Sequence, residues 1–223
     1  MKSFAPRKDV LPASQVELWP HLTPLWRMGF VLYGGTAVAL RLGHRRSVDF
    51  DFFATGNLDK EAIREALALP GSSEVIQDEP NVLSLLSPGA VKISFFGGLT
   101  MGRFGCPELT DDGVVAAASM DDLMATKLKV ILQRLEAKDY ADIAAMIRAG
   151  VSLEKGLAIA GKMFAPGFAT IPALKALTFF EGGDLGALSR DVRETLIDAA
   201  ARVIELPEAT RVSPDLAAWD WMA

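Results

Sequence analysis

The sequence predicts an α+β fold in its first half and a helical unit in its second, on three observations. Short apolar, strand-like runs alternate with helical stretches up to residue 118. From residue 119 onward nearly every segment carries helical periodicity. No Pro/Gly/Ser-rich linker interrupts the chain, so residues 1–118 and 119–223 are expected to form two parts that pack together.

Residues 13–28 (ASQVELWPHLTPLWRM) predict an opening helix broken near Pro20 or Pro24, because proline removes a ladder donor. FVLYG at 30–34 is a compact apolar run ending at a glycine pair, which predicts a buried strand. GTAVALRLG at 35–43 follows as a short Ala/Leu-rich helix closed by Gly43. In SVDFDFF at 47–53, alternation puts Val48, Phe50 and Phe52 on one face of a strand and Asp49 and Asp51 on the other. Helical periodicity covers 58–69, with its acids early, where the helix dipole favours them. EVIQ (74–77), NVLSLLS (81–87) and AVKISFFGG (90–98) predict three more strands, and GVVAAAS (113–119) one short one. Ser119 with Asp122 resembles a capping box opening a helix to about Arg134. Further helices are expected at 137–149, 152–163, 170–180 and 186–204, with loops at Pro166 and Gly182-Gly183. The terminal AAWDWMA is expected to dock on its own domain, with docking on a partner as the alternative.

Composition narrows the class. The 223 residues carry 23 Lys plus Arg and 28 Asp plus Glu, a net charge of −5, with 50% apolar and 23% charged residues. That balance belongs to a globular chain rather than a disordered one. Cys106 is the only cysteine, which excludes an internal disulfide framework and argues against a cysteine zinc site. No apolar run reaches the roughly 18 to 20 residues of a membrane helix, and the N-terminus has no signal-peptide pattern. A cytoplasmic protein without membrane attachment is expected.

Four features bear on chemistry. Gly34-Gly35-Thr36 sits at a strand-to-helix junction, where backbone N–H groups can cradle phosphate; the plainer reading is a tight turn. Asp49 and Asp51 at i and i+2 put two carboxylates on one strand face, with Cα atoms roughly 6 to 7 Å apart. Such a pair can hold a hard divalent cation, or it can simply be a solvated face. Arg41, His44, Arg45 and Arg46 form a basic cluster just before Ser47 and the acids. It can contact phosphate oxygens or be a solvated turn, and His44 stays outside the catalytic set because a lone histidine is more often structural. Finally, Lys127 and Arg134 precede Asp139 and Asp142, which share a face of the next helix; taken alone, this is ion pairing on a helix surface.

Strand, Gly-Gly-Thr, short helix, HRRSVDFDFF, then K-x-x-x-x-x-x-R and KD-x-x-D, in that order over about Phe30 to Ile143, resembles the AbiEii-type nucleotidyltransferases. These form a branch of the DNA polymerase β-like nucleotidyltransferase superfamily, and several act as toxins of toxin–antitoxin pairs. The resemblance implies a mixed β-sheet with flanking helices, followed by a C-terminal helical bundle. It implies that Asp49 and Asp51 are catalytic ligands of Mg²⁺ and that Lys127 lies near the nucleotide phosphates. Gly34, Gly35, Thr36, Arg46 and Ser47, with Arg134, Asp139 and Asp142, complete the implied nucleotide-binding set.

The expected activity is Mg²⁺-dependent transfer of a nucleoside monophosphate from a nucleoside triphosphate to an acceptor hydroxyl. The acceptor would be an RNA such as a tRNA-like end, or a protein, and an antitoxin protein is an implied partner. One departure stands out. The superfamily places a third carboxylate on a later strand, and in VKISFF Ser94 falls there, sharing a face with Lys92 and Phe96. The competing expectation is therefore a binding module of the same fold with impaired transfer.

Overall fold

A computed structural model describes residues 2–69 and 73–217. These group into two compact units. The first takes Met1–Ser119 together with the chain from Val212 on, and the second is Met120–Arg211. The segment at 212–217 therefore groups with the sheet rather than with the helices that precede it.

The first unit is built on one eight-stranded sheet. Its strands are β1 (Ser3–Phe4), β2 (Val31–Tyr33), β3 (Asp49–Phe53), β4 (Glu74–Glu79), β5 (Val82–Leu86), β6 (Lys92–Phe96), β7 (Glu108–Thr110) and β8 (Ala116–Ala117). They lie in the order β1-β7-β8-β2-β3-β6-β5-β4. The sheet is mixed: β1–β7, β8–β2 and β3–β6 are parallel, and the other pairs are antiparallel.

The opening helix divides as proline requires, into α1 (Ala13–Leu18), a 3₁₀ turn at Trp19–Leu22 and α2 (Thr23–Arg27). Next come α3 (Gly34–Leu42), closed by Gly43 at φ +65°, and α4 (Lys60–Leu67). The side chain of Asp59 caps α4 by accepting from Ala62 N–H at 3.0 Å.

Alternation in β3 sends Phe50 and Phe52 into the core, where each would cost about 2–3 kcal/mol to expose. The Phe52 and Phe95 rings stack at 5.6 Å, Phe30 meets Phe95 edge-on at 5.2 Å, and Trp19 tilts over Phe50 at 6.2 Å. Val48 does not join them. It precedes the strand and is 58% exposed, because β3 begins only at Asp49.

The C-terminal segment is sewn onto this unit. Arg103 N–H donates to Ser213 C=O and Val212 N–H donates to Arg103 C=O, both at 2.9 Å. Leu216, fully buried, donates its N–H to Thr55 Oγ1 at 3.0 Å. Trp219 and Trp221, on which the docking expectation for the chain end rests, lie outside the described residues.

The second unit comprises α5 (Met120–Val130), α6 (Ala137–Arg148), α7 (Leu153–Met163), α8 (Thr170–Thr178) and α9 (Arg190–Arg202). Helix α5 packs on α7 closely enough that a Cβ at Gly156 would collide with Met124. Ser152 and Ser189 cap α7 and α9 with their hydroxyls. Among the described residues no helix is long and apolar enough to cross a membrane.

Candidate active site

Antiparallel pairing sets Tyr33 opposite Asp51, so the end of β2 and the start of α3 arrive beside the second carboxylate. Gly34 takes φ +72°, and a Cβ there would run into the Asp51 carboxylate. Glycine is therefore required twice, for the left-handed backbone and for the acid's approach to the helix start. Helix N–H groups at that end lack intrahelical acceptors, and their partial positive charge favours an anion.

Thr36 and Ser47, both buried, fasten this junction to the strand. Thr36 Oγ1 donates to the carbonyl of Asp49, which leaves it to accept from Ser47 Oγ at 2.7 Å. Their hydroxyls thus hold α3 and β3 in register, and the main chain is what this loop offers a phosphate.

Asp49 and Asp51 are half-buried on one face of β3, opposite the phenylalanine core. The Asp49 carboxylate makes no hydrogen bond or ion pair among the described residues. Parallel pairing with β6 sets Lys92 beside Asp49 and Ser94 beside Asp51. The Phe53 and Phe96 rings touch at 5.3 Å, which confirms that the two strands present these residues on the same face. Ser94 is buried and accepts from Ser84 Oγ at 3.1 Å.

The carboxylate pair supplies hard oxygen donors at a spacing that suits a small divalent cation taking its other ligands from water and phosphate. No group of three or more His, Cys, Asp or Glu forms a metal cluster among the described residues. The donor set fits one Mg²⁺ more readily than two.

The basic cluster divides. Arg41, from the last turn of α3, is half-buried and turned to the sheet: it pairs with Glu108 at 2.5 Å and donates to Ala118 C=O at 2.9 Å. Its guanidinium lies 4.2 Å from the Phe4 ring. Burial lowers its pKa against the opposing pull of Glu108. Arg41 thus staples β7 and β8 and leaves the phosphate-binding group, whereas Arg46 remains exposed.

In the second unit Lys127, Arg134, Asp139 and Asp142 come together. Lys127 Nζ sits 2.7 Å from Asp139 and 2.6 Å from Asp142, and Arg134 adds two hydrogen bonds to Asp139 at 2.8 and 3.2 Å. This is not the surface pairing that the sequence suggests when taken alone, since Lys127 and both acids are buried. Burial pushes Asp139 up, but Arg134 and Lys127 outweigh it and hold the carboxyl below its ordinary range. The adjacent Tyr140 hydroxyl is raised by burial and by the Asp139 charge. The cluster ties α5 to α6, and its lysine is committed to carboxylates.

Residues 21–172 match the family of the nucleotidyl transferase AbiEii toxin of a type IV toxin–antitoxin system. An uncharacterized protein of Aquifex aeolicus is 31% identical over 122 residues, covering 53% of this chain and 58% of the relative. The chain thus spans a little over half of that relative's length. A crystal structure from H. pylori, provisionally assigned as a nucleotidyltransferase, superposes with a TM-score of 0.53 at 16% identity, covering 84% of this chain and 91% of that one. At that identity the likeness speaks for the fold alone.

Proposed function

We propose that this chain, which belongs to the AbiEii nucleotidyltransferase toxin family, moves a nucleoside monophosphate from a nucleoside triphosphate to an acceptor hydroxyl in the cytoplasm, as the toxin of a toxin–antitoxin pair. The observation that carries the reading is the half-buried Asp49–Asp51 pair beside the glycine-started helix α3, with the Asp49 carboxylate making no hydrogen bond or ion pair among the described residues.

Asp49 and Asp51 would hold Mg²⁺, which when bound neutralises charge on the triphosphate. The N–H groups at the start of α3 would orient the phosphates, and exposed Arg46 adds positive charge from the loop that leads into β3. The acceptor oxygen attacks the α-phosphorus in line. A new O–P bond forms as the α–β bridging bond breaks, pyrophosphate departs and the hydroxyl proton passes to solvent. Positioning supplies most of the rate enhancement in such a transfer. The acceptor is an RNA end of tRNA-like form or a protein side chain.

Ser94 supports a second reading. It stands in register with Asp51, and if it takes the place of the third carboxylate that the resemblance implies, its neutral hydroxyl would leave a nucleotide-binding module with impaired transfer.

The test supplies Mg²⁺ and each α-labelled nucleoside triphosphate in turn, with total small RNA and protein extract as acceptors. Label should enter one macromolecular band and vanish with Asp49→Asn or Asp51→Asn. Full transfer by Asp51→Asn refutes the assignment. Triphosphate binding without transfer establishes the second reading.

A further inference from the structure

Lys92 is the one residue of the acid-bearing face that no role above absorbs. It heads β6, the strand parallel to β3, and stands in register with Asp49. Neighbouring strands lie about 4.8 Å apart, so its stem rises directly beside the carboxylate pair. The next residues on its strand, Ile93 and Phe95, are fully buried on the other side, which fixes Lys92 to the Asp49–Asp51 face by alternation.

A lysine whose purpose was to neutralise Asp49 would pair with it. This one is exposed, and its ammonium makes no hydrogen bond or ion pair among the described residues. Asp49 likewise has no partner among them. A free cation and a free carboxylate one strand apart are complementary to a ligand that carries both a metal and an anion.

We infer that Lys92 binds the polyphosphate of the nucleotide, supplying from β6 a positive charge in place of a second metal ion. The inference rests on the transferase reading above. Each further carboxylate would strengthen cation binding and weaken anion binding, so exchanging the charge at 92 should move the two affinities in opposite directions.

The experiment uses the full chain and two probes: inorganic tripolyphosphate with Mg²⁺, followed by calorimetry, and Mn²⁺ alone, followed by electron paramagnetic resonance. Lys92→Met should bind tripolyphosphate about tenfold more weakly, as expected for one lost charge-assisted contact. Lys92→Arg should stay within about threefold of the parent, since the charge is kept. Lys92→Glu should weaken tripolyphosphate further and bind Mn²⁺ about tenfold more tightly, having gained a carboxylate beside Asp49.

Unchanged tripolyphosphate binding in Lys92→Met, with the parent chain still binding, overturns the role of Lys92 and leaves the transferase reading standing. Unchanged Mn²⁺ binding in Lys92→Glu also overturns it, because position 92 then does not reach the acids. A parent chain that binds neither tripolyphosphate nor Mn²⁺ removes the transferase reading and this inference together.

Discussion

Replacing Lys127 by Met tests whether the buried charge cluster of the helical unit is structural. The substitution keeps the stem's bulk and deletes the ammonium that lies 2.7 Å from Asp139 and 2.6 Å from Asp142. Both acids are fully buried, so water cannot take the cation's place without opening the α5–α6 contact. Removing one partner of a buried ion pair costs about 3–5 kcal/mol. Arg134 still reaches Asp139 at 2.8 Å and offsets part of the loss, which puts the expectation near 3 kcal/mol.

For a chain of this size that corresponds to a fall in melting temperature of about 6–12 °C, read by circular dichroism. The pH dependence gives a second check. Asp139 is held below its ordinary pKa, so its stabilising contribution is present above the unfolded carboxyl value and lost as pH falls through the folded one. In the variant Asp139 loses that support and protonates at higher pH. The gap between parent and variant should therefore be widest at neutral pH and close below about pH 4. A shift under 2 °C at pH 7, or a gap that is constant from pH 7 to 4, would refute the reasoning.

Two other perturbations address the first unit. Gly34→Ala forces a Cβ into a left-handed backbone and against the Asp51 carboxylate, which should cost about 1–3 kcal/mol in urea unfolding and weaken Mn²⁺ binding. Gly56→Ala, where no atom lies within 4 Å, should be near neutral and serves as the control. Leu216→Ala empties a fully buried position on the C-terminal segment and should cost about 2–4 kcal/mol. A loss under 0.5 kcal/mol would mean that the segment contributes little to the sheet unit.

Patterns that repeat within a few residues were legible in the sequence, and pairings between distant residues were not. DFDFF announces β3 because alternation is local, and Gly43 marks the end of α3 for the same reason. β1 and β7, two and three residues long, carry no periodicity; β1 exists as a strand by pairing in parallel with β7 across more than a hundred residues of chain, and β7 is held on its other side by β8. Arg41 reads as part of a basic cluster because Arg45 and Arg46 follow it, yet the helix turn aims it at Glu108 on β7. The spacing of Lys127, Asp139 and Asp142 is visible in the sequence, but their burial is not. That depends on how α5 and α6 meet.

The same contrast explains how the candidate site divides its work. Thr36 and Ser47 occur beside the acids in the family pattern, where a hydroxyl reads naturally as a phosphate ligand. Here both hydroxyls are buried and turned on each other and on the Asp49 carbonyl, so they serve the geometry of the junction instead. With those hydroxyls committed, the groups that remain on this face for the anion recognition proposed above are main-chain N–H groups, exposed Arg46 and cations from elsewhere in the fold. Main-chain groups are placed by Gly34, whose missing side chain lets the helix start approach Asp51. The nearest cation in register is Lys92, placed by the β3–β6 pairing rather than by any neighbour in sequence. On the proposed reading, a linear motif carries Asp49, Asp51 and Arg46 but leaves out Lys92, because a strand forty residues on places that charge in register with Asp49.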